Sequence, residues 1–285
     1  MSHCSQCGKQ RKALKRCSRC KQASYCSAEC QNAAWKGHKK SCVTLADVLE
    51  KVNAAHLRED WRKVLKWEGR MEDLMENQTD ASCISVLEAF SRSHTLGRNS
   101  TGNAEHALSV VRLETRRAEV LGKMQRFRDQ GAALCRVADH LRLLDDEQEA
   151  KGYFLRARKI AEAHGFFSVE CDACLGLGNL AMDGGQQEEG VELLRNALVC
   201  VPLCEGQDDS SMELNVLHFF TDALFDTHAI DEVEPLVARY LEAAKAESEK
   251  RGRLQMSELR SLFTSARLHE VPCSCPPRWV APPPC

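Results

Sequence analysis

The stretch that decides the fold of the N-terminal end spans residues 4–42 and reads CSQCGKQRKALKRCSRCKQASYCSAECQNAAWKGHKKSC. It contains four pairs of potential metal ligands: Cys4-x2-Cys7, Cys17-x2-Cys20, Cys26-x3-Cys30 and His38-x3-Cys42. Each pair can present two donor atoms on one side of a turn or on one face of a helix. Eight ligands predict two four-coordinate sites, and zinc prefers tetrahedral sets of sulfur and nitrogen. Because protein atoms fill every position, we expect two structural zinc ions. Spacing alone does not determine which two of the four ligand pairs bind the same zinc ion.

The same residues carry a family resemblance. The pattern Cys-x2-Cys-x9-Cys-x2-Cys-x5-Cys-x3-Cys-x7-His-x3-Cys, with Tyr25 and the run Cys30-Gln31-x3-Trp35-x2-His38-Lys39, resembles a MYND-type zinc finger. The resemblance implies interleaved sites: Cys4, Cys7, Cys26 and Cys30 on one zinc, and Cys17, Cys20, His38 and Cys42 on the other. It also implies a protein-interaction module that binds short proline-containing peptides beside Gln31 and Trp35. These two residues share a helix face because they are four apart. Trp35 could instead plug the small core, where we expect Tyr25.

Charge separates this segment from the rest of the chain. Residues 1–42 contain ten Lys/Arg and one acid, Glu29, whereas the remainder contains 29 bases and 40 acids. A basic finger can bind nucleic acid through phosphates. The spacing does not match a ββα finger that would place a helix in the major groove. We therefore favour a solvated basic face that attracts acidic partners, and keep a nucleic-acid-associated regulator as an alternative.

The compartment follows from cysteine usage and hydropathy. The chain has sixteen cysteines, but its polar N-terminus lacks the apolar segment of a signal peptide, and no apolar run approaches the ~18 residues of a membrane span. We expect an intracellular protein, in the cytoplasm or nucleus and not at a membrane, with reduced thiols.

Residues beyond 43 predict a mainly α architecture. Long amphipathic stretches alternate with short breaks. We expect a finger over 1–43, a connecting helix over 44–78, an array of helical hairpins over 79–268 and a Pro-rich disordered tail over 269–285. Within the array, helical segments are expected near 80–96 and 103–127, separated by a turn at 97–102.

An internal repeat appears when residues 131–170 are aligned with 171–210, an offset of 40 residues. A small–large–small triplet recurs on the second helix of each copy: Ala150, Phe154 and Ala157, then Gly190, Leu194 and Ala197. Gly178 supplies a small residue where two helices could approach closely. The pattern resembles tetratricopeptide repeats of the longer, kinesin light chain-like type, and a weaker pair is expected over 212–248. The alternative is an irregular helical bundle. Stacked pairs would leave a concave face that binds a second protein.

Other motifs do not indicate an enzyme. Cys171-x2-Cys174 lies inside a predicted helix with no second pair near it in the sequence, so a packed pair of small residues is favoured over a redox or metal site. The remaining histidines are singletons, and no phosphate loop or nucleophile elbow is present. Lysine methyltransferases of the SET–MYND type combine such a finger with helical repeats. Their β-rich SET domain surrounds the finger, whereas here the finger starts at residue 4 and the Asn-His-Ser cofactor run is missing. We expect no enzyme activity.

Six of the eight prolines lie in the tail, around Trp279. The tail is interpreted as a loose terminus, and the alternative is a ligand for an aromatic groove, this finger's own or another's. Taken together, the sequence predicts an adaptor: the finger binds proline-containing peptides, and the helical repeats bind a second protein.

Overall fold

The computed structural model describes residues 2–11, 13–56, 58, 60–75, 81–204 and 209–251. These residues confirm the predicted fold class, a zinc-finger segment followed by helical hairpins in a mainly α chain. The chain divides into two compact units, Met1–His164 and Gly165–Cys285. The Pro-rich tail, with Trp279, lies outside the described residues, as does the end of the predicted array after residue 251.

The finger consists of two small hairpins and one helix. Strand β1 (Ser2–His3) pairs antiparallel with β2 (Gln10–Arg11), β3 (Lys15–Arg16) pairs antiparallel with β4 (Ser24–Tyr25), and helix α1 spans Ala28–His38. None of the α1 side chains is buried. The buried residues of the finger are Cys4, Cys17, Cys20, Tyr25 and Cys42. Four of these five are predicted metal ligands, so the described finger has almost no apolar core apart from them.

Three helices follow the finger: α2 (Leu45–His56), α3 (Trp61–Leu65) and α4 (Glu68–Met75). The single connecting helix predicted for residues 44–78 was therefore wrong, because the chain breaks twice. Helix α3 begins directly after Asp60. The Asp60 carboxylate accepts a hydrogen bond from the Lys63 amide at 3.2 Å and caps the helix. The three helices share one apolar core with α5 (Ala81–Thr101). Their continuous hydrophobic pattern in the sequence reflects this common core.

The first unit is completed by α6 (Ala104–Lys123), α7 (Phe127–Arg142) and α8 (Glu147–His164), and from α5 to α8 each helix packs on the next. The turn predicted over residues 97–102 was wrong in position, since α5 continues to Thr101 and the chain turns at Gly102 with φ of 69°. The Thr101 hydroxyl donates to the Gly97 carbonyl at 2.7 Å, so polar residues typical of turns occupy the last helical turn instead.

The described residues of the second unit, 165–204 and 209–251, form two helix pairs. They are α9 (Phe167–Asp183) with α10 (Gln187–Cys200), and α11 (Asp209–Asp226) with α12 (Ile230–Arg251); α10 also packs on α11. A 3-10 turn, Val201–Leu203, follows α10 and contains Pro202. The predicted pair over 212–248 corresponds to α11 and α12, and its apolar residues Leu224, Val233 and Val237 are buried.

The 40-residue repeat is visible in the backbone. Helices α7 and α9 begin 40 residues apart, as do α8 and α10. Left-handed backbone recurs with the same offset: Gln125 and Gly165 precede the first helix of each pair, and Asp145 and Gly185 lie between the helices. The predicted offset is thus confirmed in the turns as well as in the helices.

Packing inside the second pair follows the small residues. A methyl group at Gly178 would lie 2.8 Å from Leu194 Cγ and 3.2 Å from the Gly190 carbonyl oxygen. Both distances are shorter than ordinary contact, so α9 and α10 approach each other closely at these glycines. The close approach predicted at Gly178 is confirmed.

In the described part of the chain, every helix is too short or too polar to cross a bilayer.

Candidate metal centre and peptide-binding surface

The structure brings the predicted ligands together in two groups. In each group the donor atoms lie within 4.8 Å of one another; the first contains Cys4, Cys7, Cys26 and Cys30, and the second contains Cys17, Cys20, His38 and Cys42. These are the interleaved groups that the family resemblance implied. In the residues that the structure describes, they are the two clusters with ligands close enough to hold a metal ion.

Two similar turns shape the CxxC pairs. In the first, the Gly8 amide donates to the Cys4 carbonyl at 2.9 Å, and Gly8 has φ of 70°. In the second, the Lys21 amide donates to the Cys17 carbonyl at 2.9 Å, and Lys21 has φ of 59°. Glycine adopts this conformation without steric cost, whereas lysine rarely does. The positive φ therefore suits Gly8, whereas at Lys21 the only sequence signal for it is the matching distance from the cysteine pair.

The other two pairs come from α1 and its flanks. Ser27 caps the helix, its hydroxyl accepting a hydrogen bond from the Cys30 amide at 3.3 Å. Cys30 lies in the first turn of α1, and His38 is its last residue. The helix is therefore positioned at both ends by ligand residues, one for each group.

The distances within the groups fit zinc. A tetrahedral site with Zn–S bonds of about 2.3 Å has sulfur–sulfur edges of about 3.8 Å. In the first group the Cys7 and Cys26 sulfurs are 3.6 Å apart, and those of Cys26 and Cys30 are 3.5 Å apart. In the second, the sulfurs of Cys17 and Cys42 are 3.8 Å apart, and His38 Nε2 lies 3.4 Å from the Cys17 sulfur. Each group can hold one zinc ion, with His38 binding through Nε2.

Crowding of the thiols also favours a cation. Amide hydrogen bonds, chiefly from Cys7, lower the pKa of Cys4 to about 6. Neighbouring thiols, Cys30 first among them, raise the pKa of Cys26 to about 12. In the second group, burial and the adjacent Cys17 raise the pKa of Cys42 to about 11. Because thiolates are the ligand form, four of them in the first group and three in the second need a divalent cation to offset their repulsion.

The predicted peptide-binding residues lie on α1, between its two ligands. Trp35 is 43% exposed, so it does not plug the core, and its indole is tilted against the His38 ring at a centroid distance of 5.9 Å. Gln31 is half-buried one helical turn earlier. Tyr25 is buried at 1% exposure, as expected of a core residue. An exposed indole beside an amide is a surface that can contact a peptide.

The cysteine pair in the array is packed rather than exposed. Cys171 and Cys174 are fully buried on α9, and the Cys171 thiol donates to the Ala197 carbonyl at 3.4 Å. Burial raises the pKa of Cys171. The sequence placed no second pair nearby, yet Cys200 and Cys204 belong to the same apolar cluster. That neighbourhood arises from the α9–α10 hairpin and could be found only by folding the repeat.

Two histidines interpreted as singletons are partners in the fold. The Nδ1 atoms of His94 and His106 lie 3.0 Å apart, and His94 Nε2 lies 3.0 Å from Glu68 Oε2. The group joins α4, α5 and α6. Sequence reasoning missed it because its members are separated along the chain and follow no local motif.

Comparisons with known proteins match the N-terminal segment. The family model of the MYND finger matches residues 4–42. The N-lysine methyltransferase SMYD2 of Gallus gallus is 46% identical over 44 residues, 15% of this chain and 10% of that protein. The histone-lysine N-methyltransferase SMYD3 of Homo sapiens is 48% identical over 42 residues, 15% of this chain and 10% of that protein. The SET domain-containing protein 14 of Caenorhabditis elegans is 34% identical over 83 residues, 29% of this chain and 18% of that protein.

The chain thus matches between 10% and 18% of the length of these relatives. The family match, the two ligand groups and the distances within them agree on the same residues. Residues 4–42 of this chain are a MYND zinc finger.

Proposed function

We propose that the protein is a zinc-stabilised, non-enzymatic adaptor. Its finger captures a short proline-containing peptide at the Gln31/Trp35 face, and its helical hairpins bind a second protein. The observation that carries the proposal is Trp35, a large aromatic side chain that is 43% exposed on a helix fixed at both ends by ligand residues.

The peptide surface suits an extended apolar ligand. Proline rings stack readily on aromatic faces, and a preformed polyproline conformation loses little entropy on binding. The half-buried Gln31 offers both a hydrogen-bond donor and an acceptor to a peptide backbone. Since α1 is positioned by Cys30 and His38, the two side chains are presented on a rigid element.

The helical hairpins are proposed to be tetratricopeptide-like. The 40-residue offset, the matching left-handed turns and the close approach at Gly178 support this assignment. Repeats of this kind bury a common core and leave faces that bind peptides or proteins.

The absence of enzyme activity is part of the proposal. The printed names of two of these relatives describe methyltransferases, but the three matches given above cover 42 to 83 residues of this chain. The test is methyl transfer from a labelled methyl donor to histone and peptide substrates by the full chain. Labelling above a heat-treated control would contradict a purely adaptor function.

The peptide proposal is tested with proline-containing peptides selected on an array with the full chain. Trp35→Ala and Gln31→Ala should each weaken binding of the selected peptide while zinc content stays at two per chain. Asn32→Ala is the matched control, because Asn32 is exposed on the same helix but points about 100° away from Gln31. If Trp35→Ala also releases zinc, Trp35 supports the finger core; if binding is unchanged, the proposed face is wrong.

A second candidate, nucleic-acid association, is favoured by the exposed cations of the finger, among them Lys9, Lys15, Arg16 and Lys21. A duplex or single-stranded probe would then bind with a steep salt dependence. Lys15→Gln with Arg16→Gln should reduce the salt slope by about two if these residues contact phosphates.

A further inference from the structure

The second ligand group lies where the finger meets the helices of the same compact unit. Its ligand Cys42 is buried, and the next residue, Val43, packs against the apolar core formed by α2, α4 and α5. On the other side of Cys42, the Ser41 carbonyl accepts a hydrogen bond from the Arg70 guanidinium of α4. The helices therefore hold the chain on both sides of this ligand.

A second connection leaves from the Cys17–Cys20 turn. Arg19, between these two ligands, donates through Nη2 to both carboxylate oxygens of Asp47 at 3.2 Å. Asp47 also accepts from the Thr44 amide at 2.8 Å and from the Thr44 hydroxyl at 2.9 Å. In return, the Asp47 amide donates to the Thr44 hydroxyl at 3.1 Å, which completes a capping box at the start of α2. The cap thus holds the carboxylate where Arg19 can reach it.

The first ligand group has different surroundings. The Cys4 amide donates to the Lys9 carbonyl at 3.0 Å, and the Ser5 amide donates to the Ser24 carbonyl at 2.8 Å. The Cys26 amide donates to the Cys4 sulfur at 3.4 Å. These bonds all join residues of the finger to one another, so this group organises the finger internally.

We propose that the two zinc sites have different roles. The Cys4/Cys7/Cys26/Cys30 site shapes the finger, whereas the Cys17/Cys20/His38/Cys42 site is the joint that fixes the finger on α2 and α4. The joint depends on the metal because the zinc ion ties together two segments that carry its contacts. These contacts are made by Arg19 and Ser41, which are 22 residues apart in the chain. Loss of this zinc releases both contacts, uncouples the finger from the helices and loosens the first turn of α2.

The Arg19–Asp47 pair cannot act alone as this anchor. The Arg19 side chain is 55% exposed, and exposed ion pairs contribute little to stability. The contact becomes specific because the metal-held turn, the capped carboxylate and the partly buried Val43 all constrain the same junction. A joint of this kind keeps the Gln31/Trp35 face in a fixed direction relative to the helices that follow.

The first test compares one ligand variant from each site in the full chain by hydrogen–deuterium exchange. Cys20→Ala should lose one zinc and increase exchange in α2 and α4. Cys7→Ala, the matched control from the first site, should also lose zinc but increase exchange in the finger alone. Equal exchange of α2 and α4 in the two variants would overturn the proposal.

A second test keeps all eight ligands, because a ligand variant can unfold the whole finger. Coupling between a contact and a binding site is reciprocal in free energy, so weakening the junction must weaken zinc binding at the joint site. In Arg19→Gln/Arg70→Ala, the affinity for one of the two zinc ions, measured at equilibrium against a chromophoric chelator, should fall about fivefold or more, with the other unchanged. Arg16→Gln/Lys36→Gln removes two exposed finger cations but keeps Arg19 and Arg70, and it should match the unmodified chain. Equal zinc affinities in the two double variants would contradict the joint.

Discussion

Glu68, His94 and His106 form a chain of polar contacts, and these contacts limit how many protons the two histidines can hold. With His94 Nε2 donating to Glu68, the neutral His94 ring must accept through Nδ1 from His106. Arg112 holds the carboxylate from the other side, with its Nη2 2.9 Å from Glu68 Oε1. Two fully protonated imidazoles would point two N–H groups at each other across 3.0 Å. The arrangement therefore accepts at most one added proton without breaking a contact between α5 and α6.

The first prediction is that His106 destabilises the folded protein on mild acidification. Burial and the neighbouring His94 lower the pKa of His106, against the weaker attraction of Glu105 and Glu68. Below about pH 6.5 the unfolded chain then binds more protons at this residue than the folded protein does. The contribution of His106 to stability therefore falls as the pH is lowered. His140 acts in the same direction, because burial lowers its pKa too. Asp139 acts in the opposite direction, because burial raises its pKa to about 6 and the folded protein then binds the extra proton first. The measurement is the free energy of unfolding by urea between about pH 7.5 and 5.5.

His106→Gln should make that pH dependence shallower. The control is His228→Asn, because His228 is exposed and asparagine accepts its left-handed backbone, φ 58°. An unchanged slope in His106→Gln would show that the pair does not limit stability in this range. Glu68 does not obscure the result, since its pKa is lowered and its contribution is lost only below about pH 4.5.

The second prediction concerns the buried cysteine pair. Because burial raises the pKa of Cys171 and its thiol is fully covered, the thiolate that reacts with alkylating agents is almost absent. Iodoacetamide should leave Cys171 and Cys174 unmodified in the native protein and modify both in urea, as read by peptide mass spectrometry. Fast native labelling, or a native disulfide between them, would instead support the redox interpretation that the sequence analysis set aside.

The metal-ligand groups and the side-chain contacts between helices differ in how far the sequence could predict them. The eight ligands lie within 39 residues, and each pair is set by a local turn or helix, so spacing alone named every member. His94 and His106 face each other across two helices, and Cys200 approaches Cys171 through a hairpin. Such neighbours depend on the register of helix packing, which the residue pattern does not state.

At the level of helices, periodicity predicted the hairpins better than their ends. The repeat offset was found because small residues recur where helices touch, as at Gly178 and Gly190. The break before α3 was missed because one short cap, Asp60, decides it while the apolar pattern continues. The stretch before Gly102 was misjudged for the opposite reason: turn-forming residues can stay helical when their hydroxyls bond to the preceding turn.

The third prediction tests the close approach of α9 and α10. Alanine in place of glycine stabilises an open helix by up to about 1 kcal/mol. In Gly178→Ala the new methyl group would press on Leu194 Cγ and the Gly190 carbonyl, and overpacking costs about 1–3 kcal/mol. We expect a net loss in the free energy of unfolding.

Gly152→Ala is the matched control for this prediction. Gly152 is exposed within α8, and a methyl group there would meet nothing within 4 Å. The variant should therefore gain stability in urea unfolding, opposite in sign to Gly178→Ala. If both substitutions stabilise the protein equally, the two helices are not in close contact at Gly178.

For the molecule as a whole, the finger and the helices are stabilised by different means. The helices share apolar cores, such as the one that joins α2 to α5, whereas four of the five buried finger residues are metal ligands. The charge asymmetry follows the same division, with the basic residues concentrated in the first 42 positions. Removal of metal should therefore act unequally along the chain.

The fourth prediction is that a strong chelator unfolds the finger and leaves most helices intact. Denatured protein should release two zinc ions per chain, and in the native protein their removal withdraws the binding energy that folds residues 1–43. Far-ultraviolet circular dichroism should change little, because the finger contributes the 11 residues of α1 while α5 alone contributes 21. Hydrogen exchange should rise across the finger, at the start of α2 and in α4, with α5 to α12 still protected, and added zinc should reverse the change. A global loss of helix would mean that the apolar cores depend on the metal, and unchanged exchange in the finger would mean that the two ligand groups do not hold it.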